Sequence, residues 1–193
     1  MLIRRQKKGR ILSGNTQIEL RDGQRSGCIG VSVVMNKRTL IKKIIADLEG
    51  KLALYAKAAR TARDEATDDE SKAEDKYDTR GLEASYLARG QSMHAAEVEQ
   101  AVEQFQRLAP RAFKPKDPID VGALVELEGK DGRTFYFIGP CAGGTEIVHE
   151  KKEVLVITPQ SPLGQQLAGK KLGDRLKIKS GRLPDDYRVV LVS

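Results

Sequence analysis

A chain of 193 residues, 32% charged and 5% aromatic with a formal net charge of +7, holds one ordinary domain or two small ones. That balance suits long solvated helices beside a small sheet better than one thick globule. Cys28 and Cys141 lie far apart, with no CxxC and no histidine-rich partner, so neither zinc nor a disulfide scaffold is expected, and reduced cytoplasmic thiols are. No apolar run approaches the ~18 residues of a membrane span, and the N-terminus lacks a continuous apolar signal core, so insertion and export are not expected.

Residues 1–34 carry seven bases against two acids, which leaves the remaining chain at only +2. A nucleic-acid reading of the high pI therefore rests on this segment. With no sustained hydrophobic period, 1–34 is expected to be a basic, disordered extension. Met35 opens a far better patterned stretch, and the expectation is that the native protein starts there. A species beginning at Met1, in an intact-mass measurement from the native host, would refute it.

From the candidate N-cap Asn36, Ile41, Ile45, Leu48, Leu52, Tyr55, Ala59, Ala62 and Ala66 follow spacings of four and three, a coiled-coil seam that tapers to alanine. A second helix is predicted over 72–108, with Tyr77, Ala84, Leu87, Val98, Ala101, Phe105 and Leu108 in its seam. That seam is poorer, because Arg80, Gln91 and His94 also fall on it and Gly81 and Gly90 interrupt the helix. The short polar join predicts an antiparallel hairpin over 35–110, with its tip near 64–72 and arms about 45 Å long.

Between Asp64 and Asp78 lie eight acids and two bases, against eight bases and two acids over 36–63, so the rod is electrically polarised along its length. Clustered carboxylates on a rigid tip rarely form a complete metal site, but Asp68, Asp69 and Glu70 have the chemistry to assist a Mg²⁺ ion held by another protein. The basic flank has the chemistry to meet a nucleic-acid backbone. The plainer reading is capping, since Thr67-x-x-Glu70 and Ser71-x-x-Glu74 are both capping boxes. His94 is expected on the seam or its flank, and His149 in a loop.

Pro110, Pro115 and Pro118 break the helical pattern. Strands are then predicted over 121–128, 133–139, 153–159, 174–180 and 187–193, with a Gly129–Gly132 hairpin and a short helix over 162–168 started by Pro162. The fold class is α+β: a helical hairpin, then a small antiparallel β domain (111–193) with one short helix.

ITPQSPLGQQLAGKKLGDRLKI (157–178) closely resembles a strand, Ser-Pro, helix, Gly-Lys, Gly-Asp segment of the GreA/GreB family of transcription elongation factors. VGALVELEGKDGRTFYFIGP (121–140) is similar to that family's opening hairpin, so the resemblance covers about 119–193, and the helical hairpin before it agrees in order and length. It implies an FKBP-like C-terminal domain docked at the rim of the secondary channel of bacterial RNA polymerase, with the coiled coil entering the channel. It implies no catalysis and no cofactor of the chain's own. The tip acids would share the polymerase's Mg²⁺ to cleave the 3′ end of backtracked RNA, close to the DNA of the elongation complex. By position, Ser161, Pro162, Leu163 and Gly164 match the segment that faces the polymerase, whereas the plainer reading is that Ser161 and Pro162 start the helix. At the tip the family pattern is Asp-Leu-x-Glu-Asn-Ala-Glu-Tyr. Asp68 falls on its Asp and Ser71 on its Glu, with Glu70 one position away. The run 71–91 looks like that of a variant Gre-like branch.

The expectation is thus a monomeric, cytoplasmic accessory factor that stimulates cleavage. Its nearest rival is a secondary-channel regulator without cleavage activity, which the altered tip would suit. A prolyl isomerase or chaperone fits less well, because isomerase pockets of that fold are lined with aromatics that are few here. A structural coiled-coil dimeriser would leave the acidic tip unexplained.

Overall fold

The computed structural model describes residues 35–67, 80–130, 132–180 and 183–193. Helix α1, Lys37–Thr67, is capped by Asn36, whose Oδ1 accepts from the Thr39 backbone N–H at 3.3 Å. Helix α2, Arg80–Arg107, runs antiparallel to it. The pairing is readable from contacts at both ends. Ile44 shares a cluster with Phe105, and Tyr55 meets the His94 ring at 5.5 Å between centroids. Leu54 and Ala62 line a shallow groove with Leu87.

Every predicted seam residue of α1 is buried or half-buried. On α2 the predicted Ala84, Gln91, Val98, Ala101, Phe105 and Leu108 are buried or half-buried too, but Arg80, Leu87 and His94 are exposed. Ala84, Ala88, Gln91, Ala95, Val98, Val102 and Phe105 turn inward at spacings of four and three, while Leu87 is 53% exposed. Four small or polar residues do not fix a register by themselves. The helix turns so that its alanines face the alanine half of α1, and Leu87 and His94 move to the flank. Tyr77 lies outside the described residues.

The β domain is one six-stranded sheet in the order β3-β4-β2-β1-β6-β5, built from β1 Leu124–Gly129, β2 Gly132–Ile138, β3 Glu146–His149, β4 Lys152–Ile157, β5 Arg175–Ser180 and β6 Leu183–Val192. Gly129 pairs with Gly132 and closes the β1–β2 hairpin as predicted. The sheet is mixed rather than wholly antiparallel, since β2 and β4 pair in parallel. The cause is β3, a strand the sequence did not announce. It takes the edge position, hairpins into β4 through a two-residue turn at Glu150 and Lys151 (φ 51° and 64°), and so delivers β4 beside β2 in the same direction. His149, expected in a loop, ends β3 and is 2% exposed.

The sheet separates two cores. On one face Leu124, Phe135, Phe137, Val154 and Val156 pack with Leu40, Ile44, Val102 and Phe105 from the base of the hairpin. On the other, Val125, Leu127, Ile138, Ile157 and Val189 pack with Leu163 and Leu167 of α3, Pro162–Leu167. Helices and sheet therefore form one compact unit.

Candidate functional site

Helix α1 is about 45 Å long by its rise per residue, and Asp64 and Glu65 stand at its far end. Asp68, Asp69 and Glu70 lie outside the described residues, but the helix turn before them does not. Asp64 and Glu65 occupy the last turn of α1, both exposed and with no base in that turn. The helix macrodipole is negative there, so each carboxylate is unfavourable by roughly 0.3–1 kcal/mol. Helix stability therefore gives no reason for acids at Asp64 and Glu65. Thr67 is spent within α1, its hydroxyl donating to the carbonyls of Arg63 and Asp64 at 3.0 and 3.2 Å. Among the described residues no three His, Cys, Asp or Glu side chains group as metal ligands.

The flanks of the same rod are unusually apolar. Leu54, Leu82, Tyr86, Leu87 and Met93 are each more than half exposed, and all lie in the distal two-thirds of the hairpin. Leu82, Tyr86 and Met93 share the face of α2 opposite the seam, by their spacings of four and seven. Sequence patterning identified none of them as a surface, because spacings of four and three mark the seam alone.

At the other predicted site, Ser161 caps α3. Its Oγ accepts from the Gly164 N–H at 3.0 Å and donates to the Thr158 carbonyl at 2.7 Å. A Cβ on Gly164 would stand 1.9 Å from the Thr158 carbonyl oxygen, so only glycine fits there. Leu163 packs half-buried on the second core, and Pro162 is exposed. The four residues thus form one tight turn in which Ser161 and Gly164 hold the backbone and Pro162 presents a free surface.

Sequence reasoning did not single out the clamp at the root of the hairpin. Lys37 donates through Nζ to the Arg111 and Gly122 carbonyls, and both Lys37 and Arg111 stand 4.8 Å from the centre of the Phe113 ring. Burial, with Arg111 nearby, pushes the Lys37 ammonium down to about 8. Burial also raises the Cys141 thiol, a free thiol whose Sγ faces the Ala101 carbonyl.

No protein-family model matches the chain, and no curated protein matches it. Among solved structures it is similar to the GreA factor homolog 1 (Gfh1) protein of Thermus thermophilus, at 21% identity over 77% of this chain and 94% of that one, with a TM-score of 0.33. It is also similar to Thermus aquaticus Gfh1, at 20% identity over 78% and 92%, TM-score 0.34. A further structure of the transcription factor Gfh1 stands at 22% identity over 78% and 94%, TM-score 0.34. At that level the likeness decides nothing about function.

Proposed function

We propose that this chain is a transcription elongation factor that docks on bacterial RNA polymerase through its β domain and inserts the hairpin into the secondary channel. The observation that carries the reading is the rod itself, an antiparallel helical pair rooted in the sheet and narrowed by alanines. It ends in carboxylates that its own helices do not need. The resemblance of 157–178 to the GreA/GreB family supports the partner. The exposed apolar side chains along the rod fit a surface that lies against protein walls rather than in water.

In this reading Asp68, Asp69 and Glu70 steady a Mg²⁺ ion or its water at the polymerase active centre, and the polymerase cleaves the RNA. The chain has no catalytic centre of its own, and its docking contacts include Pro162 and Leu163. The second reading, a regulator that occupies the channel without cleavage, draws on Ser71 standing where the family has Glu. Adding the protein to stalled, backtracked elongation complexes separates them. Shortened RNA is expected, and less of it with Asp68→Ala/Asp69→Ala. Binding without shortening at any concentration would leave the regulator reading in place.

A further inference from the structure

Strand register sets Arg133, Glu128, Arg188 and Arg175 in one row across β2, β1, β6 and β5. Arg133 is the Cα partner of Glu128, Glu128 of Arg188, and Arg188 of Arg175. Directly opposed residues project from the same face, so three guanidiniums stand with one carboxylate. Glu128 is engaged by Arg133, whose Nε and Nη2 donate to Oε1 at 3.1 and 3.0 Å. Arg188 and Arg175 are exposed and have no ion pair among the described residues. Like charges directly opposed weaken a sheet, so the fold gives no reason for this pair.

The row continues round the edge of the sheet. Arg175 and Lys177, on the face opposite α3, line a groove with Leu176 and with Gln166 and Lys170, which arrive from the α3 side, and Asp186 is the one acid among its described lining residues. Lysine on an edge strand is a common guard against strand pairing. That account covers Lys177, but not Arg188 within the sheet or Lys170 outside it. The charge is concentrated here, with seven bases against three acids over 170–193, compared with seven against eight over 111–169.

Among the described residues the groove has Leu176, 5% exposed, as its one apolar lining side chain and no aromatic one. Leu176 and its register partner Tyr187 pack into the second core, so the described residues put no aromatic anchor on the row. Cations alone suffice for phosphates. A duplex, with its persistence length of about 50 nm, does not bend round a strand edge, whereas a single strand does. We propose that Arg188, Arg175, Lys177 and Lys170 bind the sugar-phosphate backbone of a single nucleic-acid strand, without reading its bases. This surface lies on the β domain and uses no residue of the hairpin.

The test uses the full chain, a fluorescent single-stranded RNA of about 20 nucleotides, and anisotropy titrations across salt concentrations. Arg175→Gln/Lys177→Gln/Arg188→Gln is expected to lower the slope of log affinity against log salt by about 2, and to weaken binding about tenfold near 0.1 M salt. Lys114→Gln/Lys116→Gln/Lys151→Gln removes the same charge elsewhere, while residues 1–34 stay constant, and is expected to stay within about twofold of the parent. Unchanged circular dichroism would show that both variants fold. Equal losses in the two variants would overturn the proposal, as would tighter binding of duplex DNA. Displacement of the RNA by polyglutamate as readily as by unlabelled RNA would make this a surface for acidic proteins and overturn it too.

Discussion

Under the proposed function, Gly164 and Pro162, two positions apart, separate folding from docking. Gly164→Ala forces a methyl group against the Thr158 carbonyl and is expected to cost about 3 kcal/mol in a urea titration. Ser161→Ala loses the cap of α3 and should cost about 1 kcal/mol. Pro162→Ala, on an exposed side chain, should leave stability within about 0.5 kcal/mol while lowering polymerase affinity. Unchanged affinity would remove Pro162 from the docking surface. Lys37 carries a pH signature. Its ordinary value of 10.5 falls to about 8 on folding, so between those values the unfolded chain holds the extra proton. Stability from this group therefore rises with pH across that window and is lost as pH falls through 8. Relative to Lys37→Met, the parent should gain stability between pH 7.5 and 10 in paired denaturation curves. Parallel curves would contradict it.

Helix α1 was legible in the sequence because large apolar residues at strict spacings leave one seam to choose. Helix α2 was legible as a helix and in its seam at Ala84, Gln91, Val98, Ala101, Phe105 and Leu108, but not at Leu87 and His94, since alanine and histidine fit two neighbouring faces and only packing against α1 decides between them. Strands β1, β2, β4, β5 and β6 were legible from their apolar runs. Strand β3, four residues between Gly143-Gly144 and a non-glycine turn, was not, and with it went the parallel pairing of β2 and β4. The alternation of buried Ile147 and His149 was the available signal. The tip acids were legible as a cluster of charge, but their geometry falls outside the described residues. Gly50 and Gly90 sit inside the helices with open space where a Cβ would go. Each change to Ala should stabilise the protein by roughly 0.5–1 kcal/mol, read as a higher denaturation midpoint. A fall would mean that one of these glycines relieves strain in the rod.

Across the whole molecule, the core shared by Leu40, Ile44, Phe105, Phe137 and Val156 couples the helices to the sheet. Helical ellipticity and the near-ultraviolet tyrosine signal should therefore melt in one transition, and Phe105→Ala should lower both together, by about 4 kcal/mol. Two separated transitions would show that hairpin and sheet fold as independent domains. The same shared core turns the hairpin into a lever whose fulcrum is the sheet. At about 45 Å, each degree of tilt where Phe105 meets Phe137 carries the far end of the helices through about 0.8 Å. A one-degree change in the packing at the root therefore displaces Asp64 and Glu65 by more than the tolerance of a hydrogen bond.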